Sequence, residues 1–171
     1  MTKAAFLALD FTTYIVEHYA HDPGVVGRAA GAMARARGAG VPLIHVVPEP
    51  MLHDVHEQLA PGPGEPLLGK TSIGAFATTH LLDLLQDADT EVIIISGIAT
   101  SGTVLSTSRW AHDLGYRVVV CSDACDDPEP GAHAALTDPL VFPNSWLGLW
   151  RIADVRPASE IDLLAGEMPP Q

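Results

Sequence analysis

The chain has 171 residues, 47% of them hydrophobic, which suits one folded domain over residues 1–171 rather than a disordered polymer. Its net charge of −12 predicts repulsion from a phosphate backbone or an anionic membrane surface, so neither nucleic-acid nor membrane partners are expected. No apolar run reaches the roughly 18 residues of a membrane span, and the apolar start is read as a strand rather than a secretory signal. The two nearby cysteines fit a reducing compartment. Together these features predict a cytoplasmic protein.

Apolar runs and helical patterns alternate in the first half of the chain. Residues 4–10 are an apolar run that ends in a carboxylate and predict a first strand, followed by a polar turn. A helix is predicted from residue 23 to about 37, because a proline opens the segment and glycines follow it. Residues 41–47 predict a second strand, and residues 48–69 predict a long loop rich in Pro, Gly and His.

The second half of the chain continues the alternation. Leucine spacing predicts a helix over residues 75–86, and the unbroken apolar run of residues 91–97 predicts a strand that is buried on both faces. A helix over 103–114, a strand over 116–122 and a short helix over 128–136 follow.

The C-terminal part is predicted to hold an apolar, aromatic segment at 142–150, a last short strand at 153–155 and a last helix at 159–165. Strands that alternate with helices indicate an α/β fold with right-handed crossovers. We therefore predict a Rossmann-like three-layer sandwich, with a mostly parallel sheet of five or six strands and helices on both faces.

Ligands of open parallel sheets bind beyond the carboxyl ends of the strands. Asp10 ends the first predicted strand, Lys70 follows the long loop, and a turn of small residues over 97–103 leads from a strand into a helix. The N-terminus of a helix presents free N–H groups and the positive end of a dipole, which can hold an oxyanion or a carboxylate. The sequence therefore predicts a small-molecule site at this edge of the sheet.

Three segments together resemble the isochorismatase-like hydrolases, a superfamily of cysteine hydrolases. They are LALDF near the start, GKTSIGAF, and EVIIISGIATSGTVLSTSRWAHDLGYRVVVCSDACDD. The resemblance runs from residue 4 to about 143, is strongest over 65–136, and implies a Rossmann-like parallel sheet. It also favours a homo-oligomer, because members of the family commonly oligomerise.

The resemblance implies roles for three side chains. Asp10 matches the acid/base aspartate of the family, Lys70 matches the lysine that balances developing negative charge, and Thr103 occupies the position of the cysteine nucleophile. It also implies a cis peptide bond before Ala99. The neighbouring residues are the predicted substrate-binding residues: Phe11, Ile98, Ala99, Ser101 and Gly102. No metal and no cofactor are predicted.

Threonine at position 103 departs from the family pattern, because a hydroxyl is a far weaker nucleophile than a thiolate and needs an adjacent base. Three roles are open for Thr103: a nucleophile, a hydrogen-bonding group for the substrate, or a helix cap. Phe11-Thr12-Thr13 is a second departure, since many members carry Met-Gln or a similar pair there. The family includes isochorismatases that lack the cysteine and cleave a vinyl ether with the aspartate and lysine.

Further candidates are weighed against structural roles. Cys125 is an alternative nucleophile, although small buried cysteines are usually inert. Asp123 and Asp127 are expected to form a structural network that caps the helix containing His133, rather than to take part in catalysis. Trp146 and Trp150 are assigned either to closure of the pocket or to a subunit interface. His45, His53, Asp54 and His56 are a possible metal cluster or solvated loop residues, and His80 has no evident Ser and Asp partners for a triad.

The sequence thus predicts a hydrolase that acts on a small metabolite by acid–base chemistry at a C–O or C–N bond, without a cysteine nucleophile. In this hypothesis the N–H groups of Gly102 and Thr103 hold an oxygen anion, and water is the nucleophile. The alternatives are a non-hydrolytic enzyme that performs elimination or rearrangement, and a catalytically silent protein that binds a ligand. A cleft plugged by Phe11, Phe76 or Trp146 would favour the silent protein.

Overall fold

A computed structural model describes residues 3–161, which contain a six-stranded parallel sheet with strand order β3-β2-β1-β4-β5-β6. The strands are β1 (Ala4–Leu9), β2 (Leu43–Pro48), β3 (Leu67–Lys70), β4 (Val92–Ile98), β5 (Arg117–Asp126) and β6 (Asp154–Arg156). The helices are α1 (Thr13–Tyr19), α2 (Val25–Gly38), α3 (Leu81–Asp87), α4 (Leu105–Asp113) and α5 (Pro130–Thr137). The predicted Rossmann-like α/β fold is confirmed.

The sheet is covered on both faces, as the apolar strands require. Alternate residues of β1 point to opposite faces: Leu7 and Leu9 belong to the core with α3, α4 and α5, whereas Phe6 and Ala8 belong to the core with α2. All seven residues of β4 are buried, so its continuous apolar run correctly indicated a central strand. Within residues 3–161, no helix has the length and apolarity that crossing a membrane requires.

The long loop predicted over 48–69 is interrupted by a strand. Residues 67–70 form β3, an edge strand that pairs in parallel with β2. Pattern alone did not reveal it, because it has four residues, one of them Gly69, and neighbours on one side only. The consequence for the site is direct: Lys70 ends a strand and therefore lies at the same edge of the sheet as Asp10.

Two helices also differ from the prediction. The segment after Asp10 is not only a turn, because α1 starts where the side chain of Thr12 accepts a hydrogen bond from the N–H of Ile15, at 3.1 Å. The helix predicted from residue 75 begins only at Leu81. The residues before it are held by α4 instead: the N–H of Ala75 donates to Thr107 Oγ1 at 3.0 Å.

The remaining differences lie after β4. A π-helical turn (Thr100–Val104) precedes α4, and β5 extends to Asp126, past a register shift opposite residues 95–97 of β4. The last strand is present as β6. Of the helix predicted at 159–165, the described part is a 3₁₀ turn (Ala158–Glu160), and positions 162–165 lie outside the described residues.

Candidate active site

The topology brings the three predicted catalytic side chains together. The sheet order reverses between β1 and β4; Asp10 follows β1, Thr103 lies in the π-helical turn after β4, and Lys70 ends β3. The ammonium of Lys70 joins them, because Nζ donates to Asp10 Oδ2 at 2.9 Å and to Thr103 Oγ1 at 2.7 Å. All three residues are buried.

The carboxylate of Asp10 is held in an unusual backbone position. Its φ is +58°, a left-handed conformation that aspartate tolerates better than most residues, and its N–H donates to the carbonyl of Val46 at 2.8 Å. Burial raises the pKa of Asp10 to about 6, against the opposing charge and hydrogen bond of Lys70 and a smaller effect of the Thr103 hydroxyl. Oδ1 has no hydrogen-bond partner among the described residues. Oδ1 is itself buried.

All three N–H donors of the Lys70 ammonium are used. Besides Asp10 and Thr103, Nζ donates to the carbonyl oxygen of Ile73. Burial lowers the pKa of Lys70, and the neighbouring Asp10 carboxylate opposes that shift. The ion pair therefore fixes both groups at the base of the site, and Lys70 acts as a positive charge of defined position.

The backbone around Thr103 differs from the expected oxyanion hole. The peptide bond between Ile98 and Ala99 is cis, as the resemblance implied. The carbonyl of Ala99 accepts from the N–H of Gly102 at 3.1 Å, so that N–H does not point freely at a ligand. No side chain caps the π-helical turn, and the Thr103 hydroxyl bonds to Lys70. The capping role considered for Thr103 is therefore wrong, and its hydroxyl belongs to the site.

A cavity of about 400 Å³ opens above this cluster. Its walls include Asp10, Lys70 and Thr103 together with Ile98, Ala99 and Gly102. The other walls were not predicted: Tyr14, Ile15, Tyr19, Pro48, Met51, Thr71, Ser72 and Ile73. Most of these lie on α1 or in the turn after β3, the two places where the sequence pattern gave no element. The apolar character of α1, with aromatic rings at both ends, was the one available signal.

Two predicted substrate-binding residues do not reach the cavity. Phe11 is buried in the core beside α2, and Ser101 is exposed, with its N–H donating to Asp127 Oδ2 at 2.8 Å. The structure therefore places both residues outside the cavity that the other predicted site residues line. The cavity is also not plugged: Phe76 is in the core, and Trp146 is 75% exposed, stacks against Arg151 and does not line the cavity.

The remaining candidates have structural surroundings. Burial raises the pKa of Cys125 to about 12, and its thiol lies in the core. Asp127 accepts from the N–H of Glu129 at 3.1 Å, and Asp123 Oδ1 accepts from the N–H of Ala158 at 2.7 Å, so both have structural roles. The predicted cap of the helix that contains His133 is not formed, because no side chain caps α5.

The histidine cluster is dispersed. His45 is buried with Nε2 2.8 Å from Glu65 Oε2, and the side chain of His56 accepts from the N–H of Gln58 at 3.3 Å. Asp54 accepts from the N–H of Tyr14 at the start of α1. Over residues 3–161, no group of three or more His, Cys, Asp or Glu side chains is arranged to hold a metal ion.

A parallel sheet that presents a carboxylate, an ammonium and a hydroxyl on an open cavity at its switch point defines an α/β protein with a candidate site where such sheets bind ligands. The family model described as the Isochorismatase domain matches residues 4–146, and the chain therefore belongs to the isochorismatase family. The fold agrees: an isochorismatase family protein from Burkholderia thailandensis superposes with a TM-score of 0.79, at 27% identity and with 95% of each chain covered.

Two of the relatives are named for the reaction that they catalyse. A streptothricin hydrolase from Streptomyces noursei is 32% identical over 70% of this chain and 48% of its own length. A maleamate amidohydrolase from Pseudomonas putida is 29% identical over 78% of this chain and 76% of its own length. The chain thus spans about half the length of the streptothricin hydrolase.

Proposed function

We propose that the protein is a hydrolase that cleaves a C–N or C–O bond of a small metabolite by acid–base chemistry, without a cysteine nucleophile. The hydrogen-bonded cluster of Asp10, Lys70 and Thr103 at the base of an open cavity carries this proposal. The plugged cleft that would have favoured a silent protein is not present among the described residues. Both relatives have names of hydrolases, and the word amidohydrolase favours an amide C–N bond for this chain as well.

Asp10 suits the role of the proton carrier. A general base works best when its pKa lies near the working pH, and burial brings the pKa of Asp10 to about 6. Asp10 lines the cavity, so its carboxylate can take a proton from a water molecule held there. The water oxygen then bonds to the carbonyl carbon, and the carbonyl electron pair moves onto the oxygen.

Lys70 and Thr103 suit the stabilisation of that oxygen anion. The ammonium contributes a positive charge that Asp10 no longer balances once it has taken a proton from water. The Thr103 hydroxyl accepts from Lys70, lies beside the Asp10 carboxylate and lines the cavity at the same place. Collapse of the tetrahedral species breaks the C–N bond, and Asp10 returns the proton to the leaving nitrogen. The Gly102 N–H has no part in this scheme, because Ala99 already accepts it.

A substrate panel tests the proposal. Small amides, vinyl ethers and hydroxy acids are incubated with the wild type, Asp10→Asn, Thr103→Ala and Thr103→Ser, and products are identified by mass spectrometry. Loss of an Asp10 acid–base step lowers kcat/KM by about 10²–10⁴. Thr103→Ala is expected to retain measurable turnover, because water rather than the hydroxyl attacks.

Two outcomes contradict the mechanism. Turnover abolished in Thr103→Ala, restored in Thr103→Ser and accompanied by a covalent adduct on residue 103 would make the hydroxyl the nucleophile. Products of elimination or rearrangement without incorporation of oxygen from labelled water would favour the non-hydrolytic alternative. If no member of the panel is converted by the wild type while several bind, the silent alternative gains support.

A further inference from the structure

The chain has almost no positive charge to offer a ligand in the cavity. It contains nine lysines and arginines: Lys3, Arg28, Arg35, Arg37, Lys70, Arg109, Arg117, Arg151 and Arg156. Of these only Lys70 is among the residues that line the cavity over the described part of the chain. In the resting site its ammonium is paired with the Asp10 carboxylate and donates to Asp10, Thr103 and the carbonyl of Ile73, so a ligand that arrives already charged finds this cation balanced.

One backbone donor of the cavity wall is also taken. The start of a helix often binds an anion through free N–H groups. Here Gly102 lines the cavity, but its N–H donates to the carbonyl of Ala99. The N–H of the preceding residue, Ser101, which lies outside the cavity, donates to the carboxylate of Asp127. A substrate carboxylate beside Gly102 would therefore find no free donor at that residue.

The outer walls of the cavity are mainly apolar and carry no charged side chain among the described residues. Tyr14 and Tyr19 stand on α1 with ring centroids 6.5 Å apart, and Ile73 belongs to another segment of the wall, next to the uncharged hydroxyls of Thr71 and Ser72. Such walls gain free energy by covering apolar surface, and they balance no negative charge. The charged groups are confined to the base of the cavity, where the reacting bond lies under the proposed function.

We infer that the site takes an uncharged amide or ester with an apolar body and discriminates against substrates that carry a carboxylate or phosphate. This inference rests on the proposed function for the kind of bond, but its charge selection follows from the walls alone. The reacting carbonyl lies against Lys70 and Thr103, and the apolar body lies against the tyrosines and Ile73. Ile73 is the specificity-determining position, because its side chain is 68% exposed and lines the cavity.

Matched ligands test the inference without requiring turnover. Benzamide is compared with 4-carbamoylbenzoate, and phenylacetamide with its ring-carboxylated analogue, by ligand-observed NMR and calorimetry. The wild type is expected to bind the uncharged member at least about tenfold more tightly. Ile73→Arg places a cation on the wall and is expected to reduce that preference by about tenfold, as one partly shielded ion pair would. Leu140→Arg adds the same charge at an exposed position outside the cavity and serves as the control.

The inference is overturned if the wild type binds the carboxylates as tightly as the amides, if it binds no uncharged member, or if both arginine variants shift the preference equally. Failure of the proposed function is distinguishable from these results. Preferential binding of uncharged amides without any hydrolysis would refute the hydrolase and keep the charge selection. Efficient hydrolysis of the carboxylated amides would refute the charge selection and keep the hydrolase.

Discussion

Lys70→Met removes the ammonium from the buried pair while retaining a flexible side chain of similar length. Asp10 then loses the charge and the hydrogen bond that oppose the effect of burial, so its pKa rises above the value of about 6 in the intact pair. We expect the carboxyl of Asp10 to keep its proton through neutral pH in this variant.

The expected effect on stability follows from proton linkage. In the wild type the pKa of Asp10 is raised from 3.8 to about 6, so the native state binds the proton more tightly than the unfolded state. The stabilisation of the native state by this proton is complete below pH 3.8 and is lost as the pH rises to 6. This loss amounts to about 3 kcal/mol, and it does not continue at higher pH. In Lys70→Met the native state still holds a proton that the unfolded state has released. The free energy of unfolding therefore keeps falling by about 1.4 kcal/mol per pH unit between pH 6 and 8.

Urea unfolding at fixed protein concentration measures this slope. The comparison is between Lys70→Met and the double variant Asp10→Asn/Lys70→Met, because both lack the lysine and differ only at position 10. The difference in their free energies of unfolding is expected to change by about 1.4 kcal/mol per pH unit. Parallel curves from pH 6 to 8 would refute the reasoning, since they would mean that Asp10 is ionised without the help of Lys70.

Three further results are expected. Because Asp10 must be ionised to act as a base and its pKa is about 6, kcat/KM at pH 5 should fall to about a tenth of its plateau, and a flat profile from pH 5 to 7 would exclude that role. Cys125→Ala should leave kcat/KM within about threefold of the wild type, since the thiol lies in the core, and a hundredfold loss would implicate it. Gly97→Ala should lower the free energy of unfolding in urea by about 1–3 kcal/mol, because the new Cβ would lie 2.6 Å from the carbonyl oxygen of Leu9. In Gly102→Ala the nearest contact is 4.0 Å, so an equal loss of stability there would contradict this explanation.

The sequence predicted those elements whose pattern is set by burial on both faces. Residues 92–98 are apolar or small along both faces of the strand and all are buried, and this pattern predicted a central strand of a parallel sheet. By contrast, β3 is a strand only because β2 lies beside it, and α1 has no buried residue that would produce a helical pattern. Whether such a segment becomes a strand or a helix depends on its pairing partners and tertiary contacts, and the local sequence pattern does not show these.

The same distinction applies to the site. Asp10, Lys70 and the turn that contains Thr103 were placed at this edge by the rule that ligands bind at the carboxyl ends of strands, and the family resemblance added their roles. The walls of the cavity depend on how α1 and the turn after β3 fold back over the sheet. Tyr14 and Ile73 were therefore missed, and Phe11 was assigned to the cavity although its side chain enters the core.

The position of Lys70 on an edge strand separates the persistence of the site from the stability of the fold. Strand β3 has four residues and pairs only with β2, whereas Asp10 and Thr103 follow strands that pair on both sides. Proteins open in local units, and peripheral units open at a smaller free energy than global unfolding. Detachment of this one strand withdraws the ammonium and disables the site while the central strands remain hydrogen bonded. The time for which the site stays assembled thus depends on how long the edge strand β3 stays paired with β2.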